Sequence, residues 1–70
     1  MKILHDTGWE ARNTGCRCYY VSERFVDYEA VPEEVQSFID AEKKAWYGQE
    51  FSARVIGNRV YFRRGVDSGD

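Results

Sequence analysis

Two thiols and an imidazole are the most chemically versatile side chains in this 70-residue chain: Cys16 and Cys18 in Gly15-Cys16-Arg17-Cys18-Tyr19-Tyr20, and His5 beside Asp6. A structural zinc site takes four thiolate or imidazole ligands, and these residues supply three. A disulfide between thiols one residue apart would strain the backbone, and dithiol redox centres typically keep two residues between their cysteines. On a strand, the same spacing puts both cysteines on one side, where thiols behave as small apolar side chains. The expectation is therefore two core residues facing a helix, with no metal and no redox chemistry.

His5 and Asp6 do not make an acid–base pair in this reading, because adjacent strand residues point to opposite faces. No serine or cysteine sits in a recognisable nucleophile motif. The glycines, at 8, 15, 48, 57, 65 and 69, match neither the phosphate-binding loop nor the dinucleotide fingerprint. The sequence thus implies no catalytic residue, no cofactor and no enzyme.

The elements that would position any site are partly explicit. Apolar Val35, Phe38, Ile39, Ala45 and Trp46 fall at the spacing of one helical face between Pro32 and Tyr47. Pro32 suits the first helical position, Glu33 and Glu34 suit the positive end of the helix dipole, and Lys43, Lys44 and Gly48 suit the other end. Phe51–Ile56 and Arg59–Arg64 flank Gly57-Asn58, a two-residue hairpin turn that pairs Val55 with Val60 and Ala53 with Phe62 on an apolar face. Arg54 then faces Tyr61, and Ser52 faces Arg63, on a basic one.

An earlier hairpin is expected from Trp9–Arg12 and Cys16–Val21 around Asn13-Thr14-Gly15, in either of two registers. With a two-residue turn, Trp9, Ala11, Cys16, Cys18 and Tyr20 share a face. With a bulged three-residue loop, Trp9 and Ala11 join Tyr19 and Val21 instead. Phe25–Val31 follows as a short strand or a packed loop.

The fold class is α+β: a small antiparallel sheet of an N-terminal and a C-terminal hairpin, with one amphipathic helix packed on one face, in strand-strand-helix-strand-strand order. A single domain covering 1–66 with a disordered tail at 67–70 is expected. Eleven aromatic residues favour a folded core. With neither a signal-peptide core nor a run of roughly 20 apolar residues, the expected location is cytoplasmic, away from membranes.

Charge is segregated behind a net value of −2. From Ser22 to Glu42 there are seven acids and one base, whereas from Lys43 to Val66 there are six bases and one acid. One function this implies is a non-catalytic inhibitor of phage or mobile-element type, of the anti-CRISPR or anti-nuclease class. Its acidic surface would mimic nucleic acid and occupy a basic nucleic-acid-handling protein or complex. Contacts would come from Glu23, Asp27, Glu29, Glu33, Glu34 and Asp40, with Tyr28 and Tyr47 as anchors. The alternative is a single-stranded nucleic-acid-binding module built on the C-terminal hairpin, with Arg54, Arg59, Arg63 and Arg64 for phosphates around a stacking Tyr61.

Overall fold

The computed structural model describes residues 1–12, 15 and 17–67. The chain runs β1 (Lys2–Asp6), β2 (Glu10–Arg12), β3 (Tyr19–Glu29), α1 (Pro32–Ala45), β4 (Glu50–Ile56) and β5 (Arg59–Asp67). One helix packs on one face of an antiparallel sheet of five strands, with strands before and after the helix as expected. The last strand includes Asp67, and residues 68–70 lie outside the described residues.

β3 is the centre of this arrangement. It is rich in the aromatic and β-branched residues that suit a pleated surface, Tyr19, Tyr20, Val21, Phe25, Val26 and Tyr28. One edge pairs with β5 from Tyr19↔Asp67 to Asp27↔Arg59, and β5 pairs in turn with β4. The other edge carries β1 and β2 end to end, with β1 against Val26–Glu29 and β2 against Val21–Glu23. Between them Thr7 completes the ladder: its N–H donates to the Phe25 carbonyl (3.1 Å), and its hydroxyl accepts from the Phe25 N–H (3.0 Å).

The C-terminal hairpin has the expected register, including Val55↔Val60, Ala53↔Phe62, Arg54↔Tyr61 and Ser52↔Arg63. Gly57 takes φ +60°, and no non-glycine residue among those described has positive φ, which is the pattern of a type II′ turn. The first hairpin differs from both expected registers. Arg12 pairs with Val21 and Ala11 with Ser22, so β2 joins β3 four to five residues farther along than a tight turn would place it. That shift lets Trp9 pack on Phe62, ring centroids 5.9 Å apart, and burying an indole outweighs closing a short turn. Cys18, half-buried, precedes β3 and does not lie within a strand; Cys16, Asn13 and Thr14 lie outside the described residues. Phe25–Glu29, expected as part of a separate short strand or loop, is the second half of β3.

Alternation decides what goes where. Even-numbered residues of β3 and β5 and odd-numbered residues of β4 face the helix, where Val26, Val60, Phe62, Tyr28 and Val35 form the buried core. Phe62 is its hub, contacting the rings of Trp9, Phe38 and Phe51. The helix contributes Val35, Phe38 and Ile39 as anticipated and stops at Ala45, with Trp46 as its C-cap.

Two arginines also face the helix. Arg24, whose side chain is 13% exposed, pairs with Asp6 of β1 and with Glu42 of α1 (2.9 Å), below the rings of Trp9, Phe38 and Phe62. Arg64 lies between two indoles, 3.7 Å from the Trp9 ring centroid and 4.4 Å from that of Trp46. Hydrogen bonding to Arg24 holds the Asp6 carboxyl below its ordinary value of 3.8, with the Gly8 N–H adding to the effect and partial burial opposing it. A depressed folded-state value gives a contribution that is complete well above the unfolded pKa and is lost as pH falls through the folded one. Asp6→Asn should therefore lower the melting temperature at pH 7, and thermal melts should show the gap to the parent closing as the pH falls below about 4.

Candidate functional site

The sheet face opposite the helix carries the odd-numbered residues of β3 and β5. Because directly opposed residues share a face, the strand registers arrange them in cross-strand rows. One row is Glu10, Glu23, Arg63 and Ser52; the next is Phe25, Tyr61 and Arg54; the third is His5, Asp27, Arg59 and Ile56.

Aromatic rings occupy the middle of this face. Phe25 contacts Tyr61 (centroids 5.9 Å apart) and His5 (5.6 Å), forming a continuous strip from β1 across β3 to β5. His5 reaches it because the register slips between Ile3 and His5, a bulge that sets His5 opposite Asp27 and Asp6 opposite Val26. His5 and Asp6 thus point to opposite sides of the sheet, one to the aromatic strip and the other to Arg24. The Arg59 guanidinium lies 4.2 Å from the Phe25 centroid, donates to the Tyr61 hydroxyl (3.1 Å) and makes a two-pronged pair with Asp27, with Nη2 to Oδ2 at 2.9 Å. That pairing holds the Asp27 carboxyl below the usual carboxylate range and keeps Arg59 more firmly protonated.

The strip borders an open concavity of about 390 Å³ between the first two rows. Glu10, Glu23 and Arg63 line it from the first row, and Phe25, Tyr61 and Arg54 from the second. At the far end of the face the Tyr19 hydroxyl donates to Glu50 across β5. It passes over Gly65, where a Cβ would lie only 2.6 Å from the Tyr19 oxygen.

The sequence-derived candidates separate on this framework. Arg54, Arg59, Tyr61 and Arg63 share the open face, but Arg64 does not, because its even position in β5 sends it between Trp9 and Trp46. The acidic candidates occupy two surfaces. Glu23 and Asp27 lie among the arginines of the sheet face, whereas Glu33, Glu34 and Asp40 project from the helix on the other side, with Glu29 exposed at the end of β3. Glu34 is already engaged, accepting from the Met1 ammonium (2.6 Å) and from the Val31 N–H (3.3 Å). Tyr28 is a correction: at 4% exposure it belongs to the core and cannot anchor a partner, because its even position in β3 turns it toward the helix. Tyr47 is 84% exposed and stacks on Trp46.

Phe25, His5 and Glu10 were not among the candidates. Counting by twos from Asp27 would have placed Phe25 and Glu23 together, once Tyr19–Glu29 is taken as one strand. Among the described residues no group of three or more His, Cys, Asp or Glu is placed to hold a metal, and no helix is long and apolar enough to cross a membrane. No protein-family model, curated protein or solved structure matches this chain.

Tyr61 and Phe62 are sequence neighbours on opposite faces, 41% and 2% exposed. Denaturant unfolding should separate them. Phe62→Ala should cost about 3–5 kcal/mol, as for other buried aromatics, whereas Tyr61→Ala should cost about 1 kcal/mol or less, within the range of exposed positions.

Proposed function

We propose that this protein is a non-catalytic binding module for single-stranded nucleic acid, with the helix-free sheet face as its binding surface. The observation that carries this is the ring strip of His5, Phe25 and Tyr61 running across three strands with arginines beside it. A base presents a π-face to any exposed ring, and a guanidinium contributes both charge for phosphate and a plane for stacking. The helix holds the sheet from behind, so the platform is rigid before the ligand arrives. Two interstrand gaps of about 4.8 Å make the ring strip roughly 10 Å across, room for two or three nucleotides of the kind sheet-based RNA-binding modules stack.

Charge supports the same face in a graded way. Arg54 and Arg63 lie on the β4–β5 side, with Arg63 directly opposite Glu23 and 3.8 Å from Glu50, so Arg54 marks the preferred edge along which phosphates run. The protein's overall negative charge favours modest affinity and fast release over tight nonspecific binding. Acidic mimicry of nucleic acid, with an inhibitor occupying a basic protein, would need its carboxylates on one surface. Here Glu23 and Asp27 are divided from Glu33, Glu34 and Asp40 by the sheet itself.

Fluorescence anisotropy with labelled single-stranded RNA and DNA of about ten nucleotides tests this. Binding should weaken linearly in log Kd against log salt, with a shallower slope for Arg54→Gln. Tyr61→Ala should weaken it about tenfold, the loss of one stacked base. Absence of binding to either strand type at low salt would overturn the proposal and return attention to the helix carboxylates as a protein-docking surface.

A further inference from the structure

The acidic side of the concavity calls for a reason. Glu10 and Glu23 stand directly opposite each other across β2 and β3, an arrangement of like charges that destabilises a sheet. Arg12, with Nε 3.7 Å from a Glu23 oxygen, makes an ion pair with it, and Arg63 stands opposite Glu23 across β3 and β5, but exposed pairs of this kind offset little of that repulsion. A local rule broken on the rim of a ligand-sized hollow is where binding specificity is to be sought.

Building on the nucleic-acid proposal above, we infer that this concavity selects guanine, with the Glu23 carboxylate, supported by Glu10, accepting two hydrogen bonds from the base. An ionised carboxylate is acceptor-only, with two oxygens side by side. Guanine presents two adjacent donors, N1–H and N2–H, on its Watson–Crick edge, and they match that pair of oxygens as a guanidinium fork does. Adenine and cytosine each place a ring-nitrogen lone pair beside their single amino group. Uracil and thymine flank their one N–H with two carbonyls. Each of these would set lone pairs against the carboxylate, a repulsion that guanine avoids along both donors.

The remaining walls suit the same ligand. Tyr61 and Phe25 supply the surface on which the purine lies, and Arg54, on β4, holds its phosphates, with Arg63 between it and Glu23. The two glutamates repel those phosphates, so the nucleotide enters in one orientation, backbone toward β4 and base toward β2. Negative charge on a nucleic-acid-binding face then selects among bases at the expense of overall affinity.

Short labelled RNAs differing at one position, UUGUU, UUAUU, UUCUU and UUUUU, decide the matter by anisotropy at low salt. UUGUU should bind about tenfold tighter than the other three, the discrimination of one two-bonded carboxylate contact. Glu23→Gln replaces one acceptor by a donor and should lower UUGUU affinity about tenfold, collapsing its advantage over UUAUU, with the melting temperature confirming that the variant is folded. Equal binding of all four RNAs would overturn guanine selection while leaving the single-strand proposal intact. Failure of every RNA to bind would overturn both.

Discussion

The hydrogen-bonded ladder between β3 and β5 is the constraint on which everything else in this protein depends. It runs from Tyr19↔Asp67 to Asp27↔Arg59 and, by the twofold repeat of a strand, sorts each side chain to the helix or to the open face. A slip of one residue would exchange Phe62 with Tyr61 and Val26 with Phe25, putting the core in water and the platform under the helix. Core and candidate site are therefore two consequences of one register. The same ladder explains how so short a chain presents an organised surface, since the strands that bury the apolar residues also space the exposed ones.

The helix-side face is not purely apolar, and its two arginines show how a small domain extends a limited core. Val26, Val60 and Phe62 are its most deeply buried side chains, and beyond them lie rings with large flat faces left to cover. Arg64 fills the space between Trp9 and Trp46, and Arg24 approaches three rings while its head meets Asp6 and Glu42. A guanidinium is weakly hydrated and planar, so it can lie against an indole where an ammonium would pull away toward water. Arg24 also joins elements distant in sequence, the end of β1, the middle of β3 and the last turns of α1, which makes it a clasp as well as a cover.

How far the fold was legible in the sequence follows from how local each feature is. The helix and the C-terminal hairpin are determined by neighbours: a proline start, 3-and-4 spacing, and a glycine turn that fixes the pairing of Val55 with Val60. The register of β2 is not, because it depends on Trp9 reaching Phe62, a residue more than fifty positions away. β3 is hard to recognise as one strand because its middle, Ser22-Glu23-Arg24, is polar on both faces. Arg24 sits there for its ion pairs, and Glu23 for the open face. The site was half visible for the same reason: Arg54, Tyr61 and Arg63 belong to the local hairpin, while Phe25, His5 and Glu10 arrive from strands whose placement is a matter of tertiary contact. Charge counted along the chain misled where it grouped Glu23 with Glu33, because a sheet lies between them.

The end-to-end placement of β1 and β2 has a consequence for how this molecule behaves in a crowd. An outer strand normally offers a continuous row of unpaired amides and carbonyls that another chain can copy, the first step toward fibrous association. Here that row is broken in two by the turn at Thr7 and Gly8, where Gly8 takes φ +69° and its N–H is turned inward to Asp6. It is disturbed again by the slip between Ile3 and His5. An incoming strand would find only three to five residues of template before losing register. The irregularities that aim His5 at the aromatic strip and Asp6 at Arg24 thereby also keep this border of the sheet from being extended by a stranger.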